Sequence, residues 1–161
     1  GTRSSAHPDG LPVLAIDTLL ALAETATPTD HHGPVATVLD ARMDELYVAA
    51  WQRRDSGWTE RQPPRLCAPA QLADWLADSL PGETPLLAGN VFGSASPPLA
   101  ALQQTHRWLS AVPSAAALLR LAPGAWLRGE AIPAHAAVPM YVRDKVARTT
   151  AERELASGAT P

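Results

Sequence analysis

The segment from Glu45 to Arg53 is the strongest constraint on what this chain can fold into. At the two-residue period of a β-strand, Leu46, Val48 and Ala50 share one face, and Tyr47, Ala49 and Trp51 share the other. A strand lying on the surface of a sheet alternates apolar with polar residues. A strand apolar on both faces has to be covered twice. The sheet that holds it therefore needs helices on one side and a further layer, or a partner, on the other.

The flanking sequence supplies the rest of that sheet. Val35 to Leu39 predicts a preceding strand, with Asp40 to Asp44 as a tight connection. Asp55-Ser56-Gly57 turns the chain into a third strand from Trp58 to Arg61, resuming at Arg65 and Leu66. Upstream, Leu11 to Ile16 is a short apolar run suited to a buried strand. Asp17 then caps a helix reaching Ala26, and Thr27 to Pro34 is a polar break. Downstream, Pro69 opens a helix whose stripe is Leu72, Trp75, Leu76 and Leu80, stopped by Pro81-Gly82. Pro85 to Gly89 reads as a buried strand, Pro97 to Thr105 as a helix and Arg107 to Leu109 as a short strand. Ser114 caps a last helix from Ala115 to Leu121 that Pro123-Gly124 should end, and Val138 to Val142 is extended. Three antiparallel strands followed by alternating helices and strands make an α/β, mixed-sheet order, that of a ribonuclease-H-like lobe. Pattern at this level says nothing of activity.

Composition limits the core and the function classes. Of 161 residues 31 are alanine, so the 46% hydrophobic share overstates the bulk available for packing. A net charge of −3 removes the charge repulsion that disorder needs, and five Trp add buried area. The expectation is one folded domain with a thin core. No apolar run has the length of a membrane span. One cysteine, Cys67, makes no internal disulfide and no Cys-based zinc site, which suits a reducing, cytoplasmic setting. A pI near 5.9 argues against a broad nucleic-acid face.

Candidate chemistry is sparse. His31 and His32 are adjacent, so their side chains diverge, and His7, His106 and His135 stand alone; they read as surface or structural residues. Cys67 has no neighbouring base and reads as an inert thiol. Ser94 and Ser96 do not form a nucleophile elbow. Gly89-Asn90-Val91-Phe92-Gly93 sits between a strand and a helix, where ligand loops occur, but its glycines are wrongly spaced for a phosphate cradle. The densest cluster is Asp40-Ala41-Arg42-Met43-Asp44-Glu45. Its acids could act as acid and base or hold magnesium, which would make the chain a hydrolase or a nucleotide-binding enzyme. The plainer reading is a solvated hairpin connection in which Arg42 pairs locally with Asp40 or Glu45.

Three stretches carry a resemblance. Val38-Leu39-Asp40-Ala41-Arg42-Met43-Asp44-Glu45-Leu46-Tyr47-Val48-Ala49 resembles a segment of the TsaB family, also called YeaZ. In the same order, Leu11 to Leu19 looks like that family's strand leading into a helix, and Ala137 to Ala147 looks like its Pro-x-Tyr-hydrophobic-Arg signature, here Pro139, Tyr141, Val142 and Arg143. The likeness runs from about Leu11 to Arg148. The family usually has Gly where this chain has Asp44, and its strand-end glycine motif is only partly kept at Gly89-Asn90-Val91. A Gly-Pro-Gly-Ser-Phe-Thr-Gly-like stretch and the opening nucleotide-fold strand are not found here.

The resemblance implies a two-lobed actin/sugar-kinase/Hsp70-like (ASKHA) fold. In it, residues 1–10 would be a lead-in, 11–34 the end of the first lobe, 35–142 the second lobe and 143–161 a charged tail, with most of the first lobe lacking. It also implies a non-catalytic subunit without cofactor or metal in the synthesis of threonylcarbamoyladenosine in tRNA. Transfer itself falls to a paralogous subunit, TsaD, with a small ATPase, TsaE; tRNA is met through the complex, and a second copy of the chain is another partner. Older usage calls the family glycoprotease-like. Asp40, Arg42, Glu45 and Tyr47 would then be structural or partner-contact residues of the hairpin, and Tyr141 and Arg143 would anchor the C-terminal segment or reach a partner.

Overall fold

The computed structural model describes residues 10–55, 57–92 and 96–142. Five strands form the main sheet: β2 (Pro34–Arg42), β3 (Glu45–Arg54), β4 (Gly57–Cys67), β5 (Leu86–Gly89) and β6 (Trp108–Ser110), counting from a short β1 (Val13–Leu14). Their spatial order is β4-β3-β2-β5-β6. β2, β3 and β4 are antiparallel neighbours, whereas β5 lies parallel to β2 and β6 parallel to β5. That is the ribonuclease-H-like order: an antiparallel meander extended by parallel strands on the side of its first strand.

Both faces of β3 are covered, as its sequence demanded. On one face Leu46, Val48 and Ala50 join Ala36, Val38 and Leu87 beneath α2 (Leu72–Ser79) and α3 (Pro97–Thr105). The α2 stripe of Leu72, Trp75 and Leu76, with Leu80 just beyond the helix, is buried. On the other face Ala49 and Trp51 pack with Val35, Leu86 and Ala88 against Leu19, Leu22 and Ala23 of α1 (Thr18–Ala26). Alanines at the sheet centre let the helices approach closely, and Trp51 and Trp75 restore the lost bulk. Thr37 is fully buried without penalty, because its hydroxyl donates to the Ala49 carbonyl at 3.3 Å and accepts from Trp51 Nε1 at 3.1 Å.

The caps follow the sequence closely. Asp17 Oδ1 accepts from the amides of Leu19 and Leu20 at 2.6 and 2.9 Å, opening α1. Ser114 Oγ accepts from the amide of Ala117, opening α4 (Ala115–Leu127).

Three expectations are corrected. The run from Leu11 to Ile16 yields only β1, which is half-buried and pairs with β7 (Ala131–Ile132) outside the main sheet. Both flanks of β2 are already taken, by β3 and β5, so the run has no place beside it. The third strand runs unbroken through Pro63-Pro64. β4 is an edge strand, where a missing N–H is tolerated, and bulges opposite Val48, Ala50 and Trp51 absorb the irregularity. α4 continues through Pro123 and Gly124. Pro123 offers no N–H to the Leu119 carbonyl, but Leu119 is on the solvent side, where water can satisfy it. Residues 138–142, expected to be extended, pair with no strand of the described residues.

Candidate functional site

The hairpin joining β2 to β3 carries four of the residues singled out from sequence. Arg42 pairs with Glu45, leaving Met43 and Asp44 as a two-residue turn with φ of 55° and 61°. Positive φ at both central positions is what a tight hairpin requires, because it matches the twist of the strands. Asp is among the residues that accept this conformation, so Asp44 can replace a glycine here at modest cost. Arg42 also has a positive φ, 65°, beside a register shift between Asp40 and Arg42.

Asp40 holds this strained turn together. Its Oδ1 accepts from the Arg42 amide at 2.8 Å, and its Oδ2 lies 3.3 Å from Arg42 Nη1. The Asp40 amide donates to Asn90 Oδ1 at 3.0 Å, tying the hairpin to the residue after β5. The Arg42 and Asp40 side chains are 87% and 42% exposed, so the ion pair contributes at most about 1 kcal/mol. Local pairing of Arg42 with Asp40, the plainer of the two sequence readings, is the arrangement observed.

Two recesses flank the hairpin, and Asp40 and Asn90 stand on the rim of both. The smaller, about 330 Å³, gathers Asp40, Asp44 and Glu45 with Ser96. Among the described residues no three His, Cys, Asp or Glu side chains are grouped to hold a metal ion. The larger, about 780 Å³, is a groove lined by Leu39, Tyr47, Pro64, Val112, Val138 and Met140. Of its polar members, Asp17 caps α1, Asp40 holds the Arg42 amide and Asn90 holds the Asp40 amide, and Thr18 also lines the wall. The groove thus offers mainly apolar contact, with the phenol of half-buried Tyr47 and the hydroxyl residue Thr18. Met140 and Val142 line the groove, Tyr141 between them is 78% exposed, and Arg143 lies outside the described residues.

Among the described residues the histidines do not converge: His31 lies by the nearby Pro34 carbonyl and His106 by the neighbouring Thr105 hydroxyl, while His7 lies outside the described residues. Cys67 is buried, and burial pushes its thiol pKa up against the opposing charge of Arg65. Its burial is the setting in which a thiol has little thiolate character.

Sequence reasoning missed one polar centre. Glu24 on α1 accepts from Arg53 Nη2 at 2.9 Å, Trp58 Nε1 at 2.9 Å and Arg120 Nε at 2.6 Å, joining α1 to β3, β4 and α4. The Arg53 guanidinium also stacks 4.8 Å over the Trp58 ring. Burial alone would raise the Glu24 pKa, but hydrogen bonds from Trp58 and Arg120 and the charges of Arg53 and Arg120 outweigh it and hold the carboxyl below its ordinary value. The only sequence signal was one charged residue in a helix otherwise made of Leu, Ala and Thr.

No family model matches the chain. The fold and the hairpin site define the class: a mixed α/β chain of ASKHA-like fold, shared with solved structures. An uncharacterized protein with similarity to peptidase YEAZ from Pseudomonas aeruginosa superposes with a TM-score of 0.64 at 31% identity, over 82% of this chain and 59% of that one. YeaZ from Pseudomonas aeruginosa gives 0.63 at 28% identity, over 81% and 58%. The tRNA threonylcarbamoyladenosine biosynthesis protein TsaB of Haemophilus influenzae is 30% identical over 148 residues, covering 84% of this chain and 58% of the relative. Over the span compared, the chain is similar to the TsaB/YeaZ proteins in both sequence and fold. It spans about three fifths of the length of these relatives.

Proposed function

We propose that the chain serves in tRNA threonylcarbamoyladenosine synthesis as a non-catalytic scaffold that supports a TsaD-like transferase, with a TsaE-like ATPase and with tRNA met through the complex. The observation that carries this reading is the 30% identity to a TsaB over 84% of the chain, a span that includes the hairpin site. The chemistry of the site agrees. Asp40 is spent on the Arg42 amide and guanidinium, so it is placed to fix a turn rather than to take a substrate's proton. Residues 35–142 would act as the second lobe and 11–34 as the end of the first. The apolar groove beside Tyr47 and Met140 would be the side offered to the TsaD-like subunit, with Tyr141 and Arg143 adding polar contacts.

Mass spectrometry of tRNA nucleosides tests the proposal. A strain lacking its TsaB should regain threonylcarbamoyladenosine when given the full gene that encodes this chain. The Asp40→Asn/Glu45→Gln variant should restore it as well. Failure of the unaltered gene would sink the proposal. The recess that gathers Asp40, Asp44 and Glu45 favours one competing reading, a metal-dependent hydrolase. Loss of restoration in the double variant, together with stoichiometric metal in the unaltered protein, would support that instead.

A further inference from the structure

One wall of the larger groove is built to move. We propose that residues 112–142, carrying α4 and β7, form a strap that opens as one unit while the five-stranded sheet stays folded. The strap leaves the sheet after β6, and its one strand pairs with β1 instead, Val13 against Ile132 and Leu14 against Ala131. Neither hydrophobic cluster of the body holds a residue of α4 or β7. Within α4 only Ala117 and Ala125 are buried, and side chains that small gain little by leaving water. Pro123 removes one backbone hydrogen bond from the same helix.

Polar latches tie the strap to α1. Where α4 starts, Ser114 Oγ lies 3.0 Å from Thr25 Oγ1. One to two turns on, Arg120 Nε donates to Glu24 Oε1 at 2.6 Å, and its Nη2 donates to the Glu24 carbonyl at 3.3 Å. The Arg120 side chain is half exposed, so water takes over its bonds as the strap lifts, while Glu24 keeps Arg53 and Trp58. An element with few buried apolar contacts and exposed polar ones opens below the free energy of global unfolding. The strap supplies Val112, Pro113, Val138 and Met140 to the groove, to which the body gives Leu39 and Tyr47. Lifting it takes the groove apart. Anything seated there against both sides therefore holds the strap shut.

Hydrogen exchange followed by mass spectrometry tests the motion on the chain itself, whatever its role in tRNA modification. The hydrogen-bonded amides of α4 and β7 should share one protection factor, about a hundredfold or more below that of β2 and β3. Thr25→Val/Arg120→Ala removes both latches and should lower the protection of α4 and β7 by one common factor, about five- to tenfold, with circular dichroism unchanged. Val48→Ala, in the cluster beneath α2 and α3, should lower the protection of β2 and β3 by about tenfold and leave the strap as it was, because that packing survives when the strap lifts. Protection of α4 equal to that of β3, a latch variant that moves α4 and not β7 or moves neither, or a strap that follows Val48→Ala would overturn the proposal. A further arm rests on the docking reading above. Bound to a TsaD-like subunit, the full gene product should exchange its strap more slowly, and a complex that leaves the strap unchanged would remove its part in the groove. The absence of a complex would count against the docking, with the order of exchange rates still deciding for or against the strap.

Discussion

Replacing Glu24 with alanine should cost more stability than any other single surface-polar change. The carboxylate is 14% exposed and receives three donors. Without it, Trp58 Nε1 loses its acceptor in a half-buried setting, a loss of about 1–3 kcal/mol. Arg53, 21% exposed, loses a charged hydrogen bond worth about 1.5–3 kcal/mol. Arg120 is 52% exposed, so its contribution is discounted to under about 1 kcal/mol. The three share one carboxylate and do not add in full, which leaves about 3 kcal/mol. For a chain of this size that is a fall of about 6–12 °C in Tm. Urea titration followed by Trp fluorescence measures the difference directly. Glu24→Ala/Arg53→Ala should cost clearly less than the two single changes summed. Arg61→Ala, which opens the more exposed Arg61–Glu83 pair, should cost under about 1 kcal/mol. If Glu24→Ala lay within about 0.5 kcal/mol of the unaltered protein, or below Arg61→Ala, the hub would not hold the layers together.

Other outcomes follow from the same geometry. Because the folded Glu24 pKa lies below its ordinary 4.5, its contribution is complete above the unfolded value and is lost as pH falls through the folded one; acid titration of Glu24→Gln should show a shallower loss of stability below about pH 4.5. Asp44→Gly should raise the urea midpoint by the equivalent of about 0.5–1 kcal/mol, since glycine takes the 61° φ without a Cβ clash, whereas an unchanged midpoint would mean that Asp44 bears no strain. Gly89→Ala should fail to accumulate as folded protein, because a Cβ there would run into the Val38 carbonyl on β2; a native melting curve would contradict the close approach of β5. Cys67 should not react with a thiol reagent at pH 8 until urea unfolds the chain, as followed by absorbance.

What could be read from the sequence was what periodicity and capping encode. The two-sided strand from Glu45 foretold two covered faces, and both helix caps, at Asp17 and Ser114, lie where the side chains placed them. These signals are local. The fate of the Leu11–Ile16 run was not local, since it depended on β3 and β5 occupying both flanks of β2. Pro123 misled because the cost of a proline inside a helix depends on where the orphaned carbonyl faces, which only the packed structure reveals. At the site, the Arg42–Asp40 pairing was legible because the partners are two residues apart. The Asn90 clamp and the Glu24 hub were not, because their partners lie 50 and 29 to 96 residues away in the chain.

The scaffold reading is tested most directly by calorimetric titration of the full gene product into a TsaD-like subunit from the same source, with the Asp40→Asn/Glu45→Gln variant in parallel. The account predicts a saturable complex, formed equally by the variant and without added metal. The absence of a complex, or binding that needs a divalent cation and vanishes in the variant, would contradict it.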